Sequence, residues 1–175
     1  METEYVPVID EDDEVLYNAR RSVCHSEENP LWHRSVTVLT FRSDDMEEIL
    51  VQRRSDEKER KPGLLEFAGG HVLAGEDYCE AAIREYSEEL LDRPPEDTGI
   101  EYEDFLSLGK VDKRSPDNCE KVAVYATVYN GSFDLSDEVA DAWFEPFEDV
   151  VQDIGSRPER YTNSTRRSLE EFLEG

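Results

Sequence analysis

The chain has 175 residues, and 44 acidic against 19 basic side chains give it a formal charge of −25. That length suits one domain with a real hydrophobic core and excludes two unrelated full-sized domains. The charge excludes general binding to nucleic acid polymers or anionic membranes, so a polyanionic ligand must be held by a local basic patch or by metal ions.

In chain order, Tyr5 to Ile9, the acidic turn Asp10 to Asp13 and the segment Val15 to Val23 predict a short hairpin at a sheet edge, within an N-terminal extension over 1–33. The alternating run Ser35 to Phe41 and the run Ile49 to Gln52, joined by the polar turn Ser43 to Glu48, predict a β-hairpin. Further strands are expected at Leu64 to Ala68, Phe105 to Val111, Val122 to Tyr129 and Ala142 to Phe144. Between them, Asp77 to Leu91 has helical spacing, with Cys79, Ala82, Ile83, Tyr86 and Leu90 on one face and Pro94-Pro95 as the stop. Two more helices are expected in the 146–175 region, from Pro146 to Ile154 and from Ser164 to Leu173, on either side of the breaker Gly155 to Pro158. Strands with helices before, between and after them imply an α/β fold: a mixed sheet covered on both faces, in one domain over 1–175.

The acids are spread along the chain, which points to an acidic skin on a globular protein. A salt-rich cytoplasm would screen such a skin, because the Debye length falls to about 3 Å at 1 M salt; an ordinary acidic cytosolic protein is the alternative. Cys24, Cys79 and Cys119 show no CxxC spacing, which suits buried thiols in a reducing compartment. No apolar run reaches the ~20 residues of a membrane span, and the start Met1-Glu-Thr-Glu lacks the regions of a signal peptide. A cytoplasmic location is the expectation.

The chemistry is concentrated in Gly70-His-Val-Leu-Ala-Gly-Glu76 and, seven residues later, Arg84-Glu85-Tyr86-Ser87-Glu88-Glu89. On a helix, Glu85, Glu88 and Glu89 share a face ~100° wide, displaced from the apolar face. Like charges at i, i+4 disfavour a helix, whereas a hard cation such as Mg²⁺ reverses the sign by taking carboxylate oxygens as ligands. A solvated acidic face is the plainer reading; against it stand the coupled Gly69-Gly70 pair, the fixed-spaced Glu76 and the arginine directly before the cluster. Upstream, Arg53, Arg54, Lys58, Arg60 and Lys61 outnumber Asp56, Glu57 and Glu59, a basic patch suited to substrate phosphates or simply a solvated loop.

These residues resemble the Nudix hydrolase signature, GX5EX7REUXEEXGU with U a bulky aliphatic residue. Gly70, Glu76, Arg84, Glu85, Glu88 and Glu89 match in register, while Tyr86 stands at the first U, Leu91 at the late glycine and Asp92 at the final U. Leu resists the left-handed conformation a glycine would take there, so the helix is expected to end differently. The resemblance implies the Nudix α/β/α sandwich, with the loop and helix at 69–92, and metal-assisted hydrolysis of a diphosphate linked to another group, such as a nucleoside diphosphate derivative. It implies Mg²⁺ or Mn²⁺ as cofactor, held by Glu85, Glu88 and Glu89 with the Gly70 carbonyl, any one Glu serving instead as base for water. Arg84 would orient a neighbouring Glu, and Glu76 would tie loop to helix through an ion pair. Arg53, Arg54 and Lys61 are the expected contacts to the substrate phosphates. The expected partner is a small-molecule diphosphate, and a homodimer is compatible.

Beyond the signature, His25 and His33 before the first long strand, His71 after the glycine pair, Glu120 at the start of a strand, and Asp137-Glu138-Val139 before Trp143 are similar in layout to isopentenyl-diphosphate isomerases and their hydrolase-like relatives. In those isomerases such histidines and a glutamate form a metal site, so the resemblance implies a second site at His25, His33, His71 and Glu120, suited to Zn²⁺ or Mn²⁺. The isomerase also needs a cysteine just before its Gly-His pair, where this chain has Gly69. Hydrolysis is therefore expected ahead of isomerisation. A nucleotide sensor without turnover is the third reading, disfavoured because a sensor has no need of the acidic pairs.

Overall fold

The computed structural model describes residues 4–174. Nine strands join in one mixed sheet: β1 (Tyr5–Ile9), β2 (Val15–Arg20), β3 (Trp32–Phe41), β4 (Glu48–Arg54), β5 (Leu65–Glu66), β6 (Ala68–His71), β7 (Leu106–Ser115), β8 (Asn118–Val128) and β9 (Val139–Pro146). The helices are α1 (Arg21–Cys24), α2 (Tyr78–Leu90), α3 (Phe147–Ser156) and α4 (Asn163–Glu174). None is long and apolar enough to cross a membrane.

β3 is the axis of the sheet. It pairs in parallel with β8 from Trp32↔Cys119 to Phe41↔Val128, and antiparallel with β6 from Ser35↔His71 to Val38↔Ala68. Such a strand is buried on both faces, and Ser35 through Phe41 are buried without a break. Its even residues Val36 and Val38 join Ala123 and Tyr125 of β8 under Ala82, Tyr86 and Leu90 of α2. Its odd residues Leu39 and Phe41 join Val122 and Val124 over Val150 and Ile154 of α3 and Leu169 of α4. Two cores back to back on one sheet make a three-layer α/β/α sandwich, each fully buried Leu, Phe or Val contributing roughly 1.5–3 kcal/mol.

Several details depart from the sequence reading. β3 begins at Trp32, so His33 lies inside the strand instead of before it. The stretch 64–68 divides into β5 and β6, and Val15 to Val23 becomes a strand followed by one helical turn. Cys24 and Cys119 are buried, but Cys79 is only half-buried at the edge of the α2 core. The end of α2 differs from a glycine cap as expected: Leu91 stays right-handed (φ −119°), and Asp92 takes the left-handed turn at φ 48°. Asp visits that region more readily than Leu, so the turn moves one residue on, and the amides of Leu91 and Arg93 both donate to the Ser87 carbonyl at 3.2 Å.

Candidate active site

From β6 the chain turns through Gly75 (φ 87°) into α2, which opens on a capping box. Asp77 Oδ1 accepts the Glu80 amide at 2.8 Å, and Glu80 Oε2 accepts the Asp77 amide at 2.9 Å. Arg84, one turn further, binds loop and helix together. Its Nε donates to Glu76 Oε2 at 2.7 Å, Nη2 to Glu76 Oε1 at 3.0 Å and to the His71 carbonyl at 2.9 Å, and Nη1 to Glu85 Oε1 at 3.0 Å. Glu76 Oε1 also accepts the Leu73 amide at 2.8 Å. The planar guanidinium serves a bidentate carboxylate and a backbone carbonyl at once, which an ammonium could not.

The three helix carboxylates are placed unequally. Glu85 lies against Gly70, where a Cβ would stand 2.4 Å from the Glu85 Cδ, so only glycine leaves room for this carboxyl. Burial, reinforced by Glu88 and Glu138 and opposed by Arg84, pushes its pKa up to about 7. Glu89 is not displaced from the interior as the helical wheel suggests: it is 7 % exposed and accepts a 3.0 Å hydrogen bond from Gln52 Nε2 of β4. Burial, then the charges of Glu85 and Glu66, raise its pKa well above the usual carboxylate value. Glu88 stands at the rim, about half exposed, with Oε2 3.4 Å from Arg84 Nη1. Glu85, Glu88 and Glu89, beside a buried Gln52 Oε1 without a partner, offer oxygen donors of the kind that Mg²⁺ or Mn²⁺ prefers.

The histidines meet at the neighbouring end of the sheet. The β3/β8 register sets His33 opposite Glu120, the β3/β6 register sets His71 opposite Ser35, and His25 enters from the end of α1. Among the described residues, His25, His33, His71 and Glu120 are the set of three or more such side chains whose ligand atoms all lie within 4.8 Å of one another. His25 Nε2 is 3.1 Å from His71 Nε2, and Glu120 Oε1 is 3.3 Å from His71 Nε2 and 3.4 Å from His33 Nε2. His33 Nδ1 donates to the Leu31 carbonyl at 2.8 Å, leaving Nε2 buried and free of hydrogen bonds, the arrangement of a nitrogen ligand to a cation. Burial and then the neighbouring imidazoles lower the His25 pKa to about 3. Glu120 behaves oppositely: burial would raise its pKa, but Lys113 and the adjacent His33 and His71 imidazoles hold it well below the usual value.

Both clusters open on one polar cavity of about 160 Å³. Of the expected phosphate contacts, Lys61 and Arg54 line it. Arg54 is already committed, however, donating to Glu66 Oε1 at 2.9 Å and to the Arg60 carbonyl at 2.8 Å. Arg53 lies outside: the two-residue period of β4 turns it away from Gln52 and Arg54, towards Asp56 at 3.7 Å. Sequence reasoning missed Gln52, Glu66 and Lys113 as parts of the site. The available signal was a polar side chain within an otherwise apolar strand, as in Ile49-Leu-Val-Gln52.

A model of the NUDIX domain matches residues 31–170, and the chain belongs to the Nudix hydrolase family. It is 33% identical over 174 residues to the uncharacterized Nudix hydrolase YfcD of Escherichia coli K12, covering 95% of this chain and 85% of that one. It is 31% identical to an uncharacterized Nudix hydrolase of Yersinia pestis, covering 97% and 86%. Among solved structures, DR0079 of Deinococcus radiodurans superposes with a TM-score of 0.72 at 20% identity, covering 95% of this chain and 98% of that one. The NUDIX domain of Shewanella oneidensis NrtR, complexed with ADP ribose, gives 0.57 at 17%, covering 81% and 86%.

Proposed function

We propose that the protein is a cytoplasmic Mg²⁺- or Mn²⁺-dependent pyrophosphohydrolase acting on a small-molecule diphosphate, as one domain over 1–175. The observation that carries this reading is the Arg84 clamp, which holds Glu76 and Glu85 together beside Glu88 and Glu89 at the mouth of a polar cavity. Glu85, Glu88 and Glu89, with the Gly70 carbonyl, would hold the cation, which supplies charge neutralisation at the phosphoryl oxygens and a more acidic water. Any one of the three carboxylates would instead act as base, taking a proton from the attacking water. The water oxygen forms a bond to phosphorus, the bridging P–O bond breaks, and the leaving oxygen departs on a monophosphate or phosphate. Arg84 fixes the carboxylates, and Lys61 receives substrate phosphate. His25, His33, His71 and Glu120 are proposed as a second site for Zn²⁺ or Mn²⁺, on the strength of the unpartnered His33 Nε2 and the convergent ligand atoms.

Isomerase chemistry is disfavoured by the backbone. A Cβ at Gly69 would stand 2.1 Å from the Val36 carbonyl oxygen, so the cysteine that carbon-centred proton transfer needs has no room there. The acidic surface is read as an adaptation to a salt-rich cytoplasm, and a homodimer is compatible with it. Turnover assays with Mg²⁺ and with Mn²⁺ over ADP-ribose, nucleoside diphosphates and isopentenyl diphosphate test the reading. Release of phosphate or monophosphate is expected; dimethylallyl diphosphate as product, or saturable binding without turnover, would overturn it.

A further inference from the structure

Apart from the carboxylates and histidines, the cavity has a basic wall unusual for a chain of charge −25. Lys113 on β7 is 7 % exposed, and its Nζ lies 3.1 Å from Glu120 Oε2 and 2.9 Å from Ser164 Oγ. Lys61, in the left-handed conformation (φ 50°) on the loop after β4, faces the same space, and among the described residues its ammonium has no ion-pair partner. Arg60 also lines this side, paired with Asp117 at 2.6 Å. The Lys61 pKa is lowered, first by the protein packed around its ammonium and then by the charges of Lys113 and Arg60. Hydroxyl and amide groups of Ser35, Thr37, Asn118, Thr162, Ser164 and Thr165 also line the cavity. Among the described residues, Phe67 is the one aromatic ring other than imidazole that lines the cavity, and at 2 % exposed it offers no face to a nucleobase.

We infer that Lys61 and Lys113 form an anion subsite within the cavity, and that the preferred substrate is the diphosphate ester of a phosphorylated sugar or polyol, its second phosphate seated between these lysines. The inference rests on the hydrolase reading for the fate of the diphosphate but adds what lies at the substrate's other end. Hydroxyl-rich walls suit the sugar, and the two ammonium groups suit a phosphomonoester that a nucleoside diphosphate lacks.

The test is steady-state kinetics with 5-phosphoribosyl 1-diphosphate against ADP-ribose, for the wild type, Lys61→Gln and Lys113→Gln. The wild type is expected to favour the phosphorylated sugar at least tenfold in kcat/KM. Each variant should raise KM for that substrate at least tenfold more than it raises KM for ADP-ribose. Equal losses on both substrates, or none, would overturn the inference. Lys61 is exposed, so Lys61→Gln carries the test should the buried Lys113→Gln fail to fold. Should no diphosphate be turned over, the hydrolase reading fails by itself. Calorimetric binding of 5-phosphoribosyl 1-diphosphate then decides the subsite, with tenfold weaker binding to Lys61→Gln supporting it and equal binding refuting it.

Discussion

Arg84 and Gly70 show how single residues fix the geometry of the carboxylates. Arg84 is 16% exposed and bonded to Glu76, Glu85 and the His71 carbonyl. Replacing it with Lys keeps the charge but loses the fork, so Arg84→Lys should lower kcat at least a hundredfold and cost about 2 kcal/mol of stability, read by denaturant unfolding. Gly70→Ala acts by volume: its methyl would overlap the Glu85 carboxyl, which stands 2.4 Å from the Cβ position. The carboxyl must swing away, so kcat should fall tenfold or more while stability drops by about 1–3 kcal/mol. The same variant with unchanged kcat would show that Glu85 is not held where the reaction needs it.

Among the elements, the N-terminal hairpin pairs with β3 at Val8↔His33 and is tied further by the Asp13 side chain at its turn. Asp13 accepts hydrogen bonds from Arg34 Nε of β3 at 2.8 Å, Tyr78 Oη of α2 at 2.9 Å and Lys110 Nζ of β7 at 2.8 Å. Burial alone would raise its pKa, but these three donors outweigh burial and lower it. A carboxylate with a lowered folded pKa contributes stability that is present above its unfolded value of 3.8 and lost as pH falls through the folded one. Asp13→Asn should therefore melt several degrees below the wild type at pH 7, the gap closing at acid pH as the wild-type carboxylate is protonated. A gap independent of pH would remove the electrostatic explanation. The hairpin, the long strands and the three longer helices were legible because each carries its own period and punctuation. What was not legible lay between elements. Burial of Glu89 depends on Gln52 crossing from β4, and the exclusion of Arg53 on which side of β4 faces α2. His33 and Glu120 were recognisable as candidates, but their meeting depends on the β3/β8 register, which no local pattern encodes.

For the molecule as a whole, the charge of −25 dominates. Many of its acids have no basic partner, since 44 acids share 19 bases, and their mutual repulsion weakens the folded state at low ionic strength. The melting temperature should rise between about 0.1 M and 2 M KCl at neutral pH, whereas an unchanged value would leave the acidic surface without a stabilising role for salt.

The central claim is that Glu85, Glu88 and Glu89 make a cation-dependent hydrolytic centre. It is tested most directly by titrating Mg²⁺ into the wild type and Glu88→Gln with a diphosphate substrate and measuring released phosphate or monophosphate. Glu88 is half exposed, so Gln keeps the fold while removing the charge. The account predicts a saturable Mg²⁺ requirement in the wild type and a rate at least a hundredfold lower in Glu88→Gln at saturating metal. Full activity in chelator, or equal rates in the two proteins, would contradict it.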